Sequence, residues 1–401
     1  MRILYSAITA VQKLLNTNLI IFSKIFLLFL LSSLIKASDI QNWDDSVEKT
    51  KKETFRVETF IDGFDIPWGM VFLPNQNLIV SDRNGSLWLV DYKEKSKTKI
   101  SGVPNVRYKG QGGLLDVEIH PEFINNNYIY IGFTDYLNSK KNRTFTSIIR
   151  ARLKNISLTD QKIIYKADDT FYDNSTIHYG TRIVFDDKGF LYFSIGDRGK
   201  RNQAQLLEYP NGKIHRLNAD GSIPSDNPFF ENNNAIKSIW TYGNRNPQGL
   251  AMHPASSILF ETEHGPRGGD ELNILSSGKN YGWPEITYGK NYSGTTITKY
   301  THKEGMEQPV IHWTPSIAVC GIDFYDGELF NNWKNNLLVS SLKFERLYRL
   351  EIDDDKVIDQ EIIYEAGSRI RDVQTGPEGF IYIALEDPGR IVRLMPIFIN
   401  E

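Results

Sequence analysis

The sequence contains a single cysteine, Cys320, among its 401 residues. One thiol excludes an internal disulfide framework, a zinc site built from several thiolates, and a haem attached through a C-x-x-C-H motif. Free cysteine is among the most frequently buried residue types, and Cys320 directly precedes Gly321 at the start of a β-rich stretch. We therefore predict that Cys320 is a small core residue.

The chain also lacks an excess of positive charge. It has 46 Lys and Arg residues against 49 Asp and Glu residues, which gives a formal net charge of −3 at pH 7. This balance provides no overall basic field, so nucleic acid is not an expected partner. Hydrophobic residues make up 40% of the chain and aromatic residues 12%, which is ample for a large core.

The N-terminal segment differs from the rest of the chain. Three basic residues precede a short apolar run at 25–35, and the small residue Ala37 follows it. This pattern predicts a secretory signal peptide over 1–38, a flexible lead-in over 39–52, and a periplasmic protein. An uncleaved anchor is the alternative, but the run is short for a bilayer, so we expect no membrane span in the mature form.

After this segment no sustained helical stripe occurs, and six similar β-rich cassettes follow one another instead. Each cassette consists of an apolar stretch, then a turn with Pro or Gly, and then a second apolar stretch. The cassettes start at Gly69, Leu114, Arg182, Gly249, Gly321 and Arg371. A degenerate repeat of this kind predicts an all-β protein. The expected fold is one six-bladed β-propeller over 53–398, with four-stranded antiparallel blades around a central channel.

Three local patterns refine this fold. The strand-like segment that starts at Thr54 precedes the first cassette, and we predict that it completes the last blade and closes the ring. Polar segments starting at Gly212, Arg346 and Gly389 resemble outer strands with one polar edge. The irregular stretch from Trp283 to Trp313 is predicted to be an extended loop or hairpin over one face.

Polar clusters lie at the junctions of the cassettes. They contain Gln111, His178, Arg245, Asn246, Lys343, Arg369 and Arg371. Taken singly, each cluster has a structural interpretation, because Gly-rich junctions are often tight turns and alternating arginines often lie on solvated strand faces. Their equivalent positions in successive cassettes, however, direct them to one face of a propeller. Four cations, one imidazole and two amides at one place favour a pocket for a planar ligand with several negative charges.

At these junctions the chain resembles the soluble glucose and aldose sugar dehydrogenases that depend on pyrroloquinoline quinone (PQQ). The resemblance extends over residues 55–396 and rests on several motifs together. These are GQGGLLDVEIHPEF, HYGTRIVFDDKGFLYFSIGDRG, GKIHRLNADGSIPSDNPF, GNRNPQGLAMHP, EHGPRGGDELNIL, GKNYGWP and SRIRDVQTGPEGFIY. It implies a propeller that binds PQQ and calcium at its central mouth. It also implies oxidation of aldose sugars at C1 to the lactone, with electrons passed to an external acceptor.

The same resemblance implies a role for each candidate residue. His178 corresponds to the general base that takes the proton of the C1 hydroxyl while hydride passes to C5 of the quinone. Gly265 and Pro266 correspond to the pair that binds calcium through backbone carbonyl oxygens. The other positions correspond to residues around PQQ, namely Gln111, Arg245, Asn246, Lys343, Arg369 and Arg371.

Two departures from the family pattern set further expectations. Ile177 stands where glucose-specific members have an acidic residue that helps to orient the histidine, so another group has to orient His178. The segment between GWP and WTPS is shorter than in glucose-specific members, which use it for substrate contact and dimerisation. We therefore expect the aldose branch with broad specificity, as a monomer or weak homodimer.

Two other classes of propeller protein remain as alternatives. One is a calcium-dependent lactonase-type hydrolase, which the cationic junctions disfavour because that chemistry uses side-chain carboxylates to hold its metal. The other is a non-catalytic propeller that binds a protein or glycan. The histidine, the glutamine and the four cations together argue against it, because a pure binding surface does not need that set. The preferred sugar and the physiological electron acceptor are not indicated by the sequence.

Overall fold

The computed structural model describes residues 46–398, which form six β-sheets with little helix. The predicted signal peptide over 1–38 and the first part of the lead-in over 39–52 lie outside the described residues. Within the described part, neighbouring strands pair antiparallel in every sheet. The predicted six-bladed β-propeller is confirmed.

The strands follow the chain in sets of four, except that the first two belong to the last blade. Those two are β1 (Val47–Lys49) and β2 (Thr54–Phe64). The first blade comprises β3 (Pro67–Phe72), β4 (Leu78–Asp82), β5 (Ser86–Asp91) and β6 (Ser96–Lys99). The second comprises β7 (Leu114–Ile119), β8 (Tyr128–Leu137), β9 (Lys140–Lys154) and β10 (Ser157–Lys166). The third comprises β11 (Ile183–Phe185), β12 (Phe190–Ile195), β13 (Lys213–Asn218) and β14 (Ile239–Tyr242).

The remaining three blades follow the same order from the channel outward. The fourth comprises β15 (Pro247–Met252), β16 (Leu259–Glu263), β17 (Asp270–Leu275) and β18 (Ile311–Trp313). The fifth comprises β19 (Val319–Phe324), β20 (Leu337–Ser341), β21 (Arg346–Asp353) and β22 (Lys356–Glu365). The sixth comprises β23 (Ile370–Thr375), β24 (Ile381–Glu386) and β25 (Gly389–Pro396), followed by β2 and β1.

The ring is closed by the N-terminal strand, as the sequence predicted. β2 pairs with β25 over most of its length, for example Val57 with Leu394. β1 then pairs with β2 as a fifth strand, so residues 47–49 of the predicted lead-in belong to the sheet. Each sequence cassette corresponds to the two innermost strands of one blade. The inner strand of every blade lies beside the inner strands of its two neighbours.

Each blade packs against its neighbours on both faces, which explains the hydrophobic runs in second strands such as β4 and β24. In β4, Leu78 and Val80 pack against the sixth blade, whereas Ile79 between them packs against the second. Alternate side chains of a strand point to opposite faces, so a buried blade needs apolar residues at every position. Six clusters, one at each interface between blades, form the core.

The predicted positions of the polar-edged strands were wrong. β13, β21 and β25 are the third strands of their sheets and are hydrogen-bonded on both sides. Their charges are tolerated because they are paired. Arg216 in β13 packs over the ring of Phe190 at 3.7 Å and bonds Asp226 at 2.9 Å. Alternating charge in a strand therefore did not identify an edge here.

The few helices are short. They are the α-helix α1 (Phe123–Asn126) and the 3-10 turns Asp169–Phe171, Arg201–Gln205 and Asn331–Trp333. No helix among residues 46–398 is long and apolar enough to cross a membrane. The longest connection, from β17 to β18, contains most of the predicted loop, whose end forms β18, and brings the indole of Trp283 to Asp197 after β12.

The centre of the ring is held by the buried guanidinium of Arg182, which directly precedes β11. It lies 3.1 Å from carboxylate oxygens of Asp116 in the second blade and Asp372 in the sixth. It also donates to the carbonyl oxygen of Gln248 in the fourth blade at 2.7 Å. Its carbon Cζ lies 4.2 Å from the ring centroid of Trp68 in the first. One side chain thus connects five of the six blades.

Replacing Arg182 with methionine should destabilise the protein by about 3–5 kcal/mol, because two buried carboxylates lose their counterion. Equilibrium unfolding in guanidinium chloride measures this loss. The matched control is Arg346→Met, which breaks the solvent-exposed pair with Glu365 at 2.8 Å and should cost less than about 1 kcal/mol. Equal, small losses in both variants would show that Arg182 does not hold the ring together.

Candidate active site

The polar clusters converge because of the way that each blade folds. Adjacent strands run antiparallel, so the loop that enters an inner strand and the loop that follows the second strand open on the same face. Gln111 and His178 precede the inner strands β7 and β11, and Arg369 precedes β23. Gly265 and Lys343 follow the second strands β16 and β20. All five positions therefore lie at one mouth of the channel.

A polar cavity of about 260 Å³ opens at this mouth. Residues of all six blades contribute to its lining. The lining residues are Trp68, Arg83, Gln111, Leu115, Tyr179, Gly180, Asn246, Gln248, His264, Leu342, Arg369, Arg371 and Glu386. Of the six predicted cofactor residues, Gln111, Asn246, Arg369 and Arg371 line it directly.

His178 is held in an unusual backbone conformation beside this cavity. Its φ angle is +53°, in the left-handed region, and its N–H donates to Gln111 Oε1 at 2.7 Å. The end of β12 lies close behind it, because a Cβ atom on Gly196 would come within 2.5 Å of the carbonyl oxygen of His178. Gln111 and Gly196 together fix the position of the histidine.

The group that orients the His178 ring is Asp197, which sequence analysis did not name. The distance from His178 Nδ1 to Asp197 Oδ1 is 2.6 Å, and the carboxylate is almost fully buried. Its other oxygen, Oδ2, accepts from the indole N–H of Trp283 at 2.8 Å. The N–H of Gly199 adds a further bond to Oδ1 at 2.7 Å. Asp197 thus provides the orienting acidic group that position 177 lacks.

The electrostatics of this pair assign the imidazole tautomer. Burial lowers the pKa of His178 below its usual value of 6.5, and the hydrogen bond with Asp197 opposes that effect. Burial alone raises the pKa of Asp197, but its bonds with His178 and the nearby Arg245 charge outweigh burial and lower it. An ionised carboxylate can only accept hydrogen bonds, so the proton of neutral His178 lies on Nδ1. Nε2 is left as a proton acceptor.

Arg198 supports the histidine loop from behind. Its side chain is fully buried and donates to the carbonyl oxygens of Ile177 and, at 2.6 Å, Ser175. Its guanidinium carbon lies 3.6 Å from the ring centroid of Tyr179. The loop on both sides of His178 is therefore tied to one rigid cation, which limits movement of the imidazole.

Two of the predicted cations share one carboxylate. Arg369 Nε lies 2.9 Å from Glu386 Oε2, and Arg371 Nε donates to Glu386 Oε1 at 2.9 Å. Arg371 is buried and also approaches the sulfur of Cys320 at 3.5 Å. Cys320 itself is fully buried in β19, so its predicted place in the core is confirmed. Half of the Arg369 side chain is exposed, which leaves this cation open to a ligand.

The other two predicted cations lie around the cavity rather than in its lining. Arg245 is buried under Trp283, with its guanidinium carbon 5.3 Å from the ring centroid. Lys343 is exposed and donates to the carbonyl oxygen of Ser316 at 3.2 Å, while its neighbour Leu342 lines the cavity. Both lie near the mouth, Arg245 in the buried interior and Lys343 on the exposed surface.

The predicted calcium ligands lie in the buried loop after β16. The N–H of Gly265 donates to Asp270 Oδ1 at 2.9 Å, and its carbonyl oxygen accepts from Arg245 at 3.0 Å. A Cβ atom on Gly265 would come within 2.2 Å of the carbonyl oxygen of Gly268, so this position requires glycine. Within residues 46–398, no three His, Cys, Asp or Glu side chains are arranged to hold a metal ion. A cation beside Gly265 and Pro266 would depend on backbone carbonyls and on the oxygens of a bound ligand.

Five residues in or beside the cavity were not predicted from the sequence, in addition to several others in its lining. The five are Trp68, Arg83, Asp197, Trp283 and Glu386. A simple positional rule identifies three of them, because Arg83, Asp197 and Glu386 stand at or just after the end of a second strand, as Lys343 does. Trp283 comes from a long irregular loop, and no periodicity predicted its position.

Fold and site together define a β-propeller whose mouth holds a histidine–aspartate pair beside a polar pocket lined by three arginines. A model of the glucose/sorbosone dehydrogenase family matches residues 64–393. The aldose sugar dehydrogenase YliI of Escherichia coli is 39% identical over 348 residues, covering 86% of this chain and 93% of that protein. The chain belongs to the glucose/sorbosone dehydrogenase family, and the resemblance found in the sequence is confirmed.

Solved structures agree with this assignment. The apo-form of the soluble aldose sugar dehydrogenase of Escherichia coli superposes with a TM-score of 0.80 at 37% identity, over 86% of this chain and all of that one. The PQQ-bound form of an aldose sugar dehydrogenase from Streptomyces coelicolor superposes with a TM-score of 0.71 at 26% identity, over 86% and 98%. The likeness thus extends over nearly the whole propeller.

Replacing Asp197 with asparagine should lower the pKa of His178 further below 6.5, because the carboxylate is what opposes the effect of burial. Titration of the labelled imidazole by NMR measures this value in both proteins. The control is Asp226→Asn, which removes an exposed carboxylate paired with Arg216 and should leave His178 unchanged. An unaltered His178 pKa in the Asp197 variant would contradict the pairing.

Proposed function

We propose that this protein oxidises aldose sugars at C1 to the corresponding lactones with PQQ and calcium at the mouth of the propeller. The observation that carries the proposal is the His178–Asp197 pair, whose histidine directly precedes Tyr179 and Gly180 in the lining of a pocket that contains three arginines. A general base next to an anion-binding site is the arrangement that oxidation of a neutral sugar by an anionic acceptor requires.

PQQ is a planar tricarboxylate, and the residues at the mouth fit such a group. The indole of Trp68 offers an apolar aromatic surface in the lining, while Arg369 and Arg371 supply guanidinium groups for carboxylates. When bound, the quinone supplies a two-electron acceptor for hydride. Asn246 and the buried Arg245 stand beside the mouth, where their donors stabilise negative charge that develops on a ligand oxygen.

The protein's own part in the oxidation is a proton transfer. Nε2 of His178 removes the proton of the C1 hydroxyl as C1 loses hydride, so the sugar loses two electrons and two hydrogens and becomes a lactone. The ionised Asp197 stabilises the imidazolium that forms, and Trp283 keeps the carboxylate in place. Gln111 holds the histidine backbone, which limits movement of the imidazole beside the cavity.

Calcium is assigned to the loop of Gly265 and Pro266. Its oxygen ligands would be backbone carbonyls of that loop together with oxygens of the bound ligand. Because Arg245 donates to the Gly265 carbonyl, calcium would share that oxygen with a guanidinium through its second lone pair. We further propose export to the periplasm, broad aldose specificity and an external electron acceptor, as the sequence predicts.

Purified protein should reduce a redox dye with glucose or another aldose only after both PQQ and calcium are added. The measurement is dye bleaching across a panel of aldoses with PQQ, with calcium, with both and with neither. The dependence on PQQ is expected because arginines line the cavity. The dependence on calcium is expected because that ion is assigned to the loop of Gly265 and Pro266.

The same assay separates the alternatives. PQQ binding without turnover on any sugar would favour a non-catalytic binding module. Hydrolysis of a lactone with calcium alone would favour a lactonase-type hydrolase. Among residues 46–398, no three His, Cys, Asp or Glu side chains are arranged to hold the metal in that way. Failure to bind PQQ at all would overturn the proposal.

Replacing His178 with alanine should reduce turnover by about 100-fold or more, because the proton acceptor is lost. PQQ binding, measured separately by equilibrium dialysis, should remain close to that of the unaltered protein. The control is His302→Ala, since His302 is exposed on the loop before β18. Retained turnover in the His178 variant would remove it from the role of base.

The pH dependence follows from the same assignment. Only neutral His178 accepts a proton, so kcat/KM should fall as the pH falls through the pKa of this group. Because burial lowers that pKa, the acid limb of the profile should lie below pH 6.5. A limb above that value, or none in the accessible range, would contradict the assignment.

A further inference from the structure

Arg83 stands in the same cavity, at a position for which sequence analysis predicted no function. It follows β4, and its backbone is fixed on both sides. Its N–H donates to the carbonyl oxygen of Ile66 at 3.0 Å, and its carbonyl oxygen accepts from Leu114 at 3.1 Å. A Cβ atom on Gly113 would come within 2.0 Å of the Arg83 carbonyl oxygen, so glycine is needed for this approach. The side chain therefore starts from a rigid point.

The guanidinium of Arg83 has fewer hydrogen-bond partners than those of Arg369 and Arg371 in the same cavity. Its Nε is buried and has no hydrogen-bond partner among the described residues. Its carbon Cζ lies 5.3 Å from the ring centroid of Tyr108, which orients the group without bonding it. By contrast, Arg369 and Arg371 both bond Glu386. Because Arg83 lines a polar cavity, a bound ligand could supply the missing acceptor.

The charge balance of this edge of the cavity supports the same conclusion. Burial raises the pKa of Glu386, but Arg371 and Arg369, with a smaller effect of Arg83, lower it below its usual value. The carboxylate is therefore ionised, and it pairs with two of the three guanidinium groups. The edge keeps a net positive charge, and the Arg83 guanidinium is available to bind an incoming anion together with the half-exposed Arg369.

We propose that Arg83 binds a carboxylate of the ligand in this cavity, and that the carboxylate belongs to the quinone cofactor. This inference rests on the proposed function. Two sources offer the same chemistry, a carboxylate of PQQ or that of an acidic sugar. The cofactor is favoured because the charge of Arg83 acts on Glu386, the carboxylate that pairs with Arg369 and Arg371. The sugar C1 has to lie at His178, whose imidazole pairs with Asp197 instead.

The test compares PQQ affinity in Arg83→Met, Arg83→Lys and the unaltered protein, by equilibrium dialysis without sugar. Arg83→Met keeps the length of the side chain and removes its charge, so we expect a loss of affinity of about ten-fold or more. Arg83→Lys keeps the charge without the planar fork and should lie between the two. The matched control is Arg56→Met in β2, which removes an exposed arginine from the outer side of the sixth blade and should bind PQQ normally.

Each outcome decides a separate point. If the unaltered protein binds PQQ and Arg83→Met binds it equally well, the inference is wrong while the proposed function stands. If the unaltered protein does not bind PQQ, the proposed function itself fails. If Arg83→Met binds PQQ normally but loses turnover of a uronic acid relative to the neutral aldose, the carboxylate is the sugar's and the assignment to the cofactor is overturned. Thermal unfolding without ligand checks that each variant is folded. If Arg83→Met does not fold, the PQQ affinity of Arg83→Lys decides the test.

Discussion

The structure depends on one buried cation at the centre of the ring. Blades pack side by side through apolar surfaces, and such surfaces are not directional, so they do not by themselves set how the inner strands meet. Arg182 sets that arrangement, because it bonds Asp116, Asp372 and the Gln248 carbonyl at once. Gly69 and Gly321 leave room for the two carboxylates, since a Cβ atom on either would come within 2.4 Å of one of them.

The candidate site sits directly above this central contact, and the two share parts. Arg182 donates to the Arg371 carbonyl oxygen at 2.8 Å, and Trp68 lies between the Arg182 guanidinium and the cavity. The floor of the pocket is therefore as rigid as the centre of the fold. The walls are loops whose backbones are fixed by specific contacts, such as the bond from the His178 N–H to Gln111 and the bonds from Arg198 to the same loop. A rigid floor with precisely held walls suits chemistry that needs one proton acceptor at one point.

The predictions from sequence succeeded where a pattern repeats and failed where a contact is unique. Six cassettes give six blades, and the segment at Thr54 closes the ring because an unpaired third strand, β25, needs a partner. The prediction placed the polar segments at Gly212, Arg346 and Gly389 in the outer strands, whereas they form the third strands of their blades. In this fold charge within a sheet is buried by local pairing, as Arg216 shows with Asp226. Asp197 was missed as the partner of His178, since 19 residues of sequence separate them and no spacing rule joins a loop to the loop beside it.

The sequence by itself determined the repeat, the all-β class, the face on which the polar junctions meet, and the family. Those properties follow from local periodicity and from motifs that can each be recognised within a single segment of the sequence. Only the tertiary structure decided which side chains are paired and which are free. Glu386 neutralises Arg369 and Arg371, whereas Arg83 keeps a buried N–H unpaired. The reason is physical: the state of a charge depends on its partners and its burial, and both are set by residues that the ring brings together from distant blades.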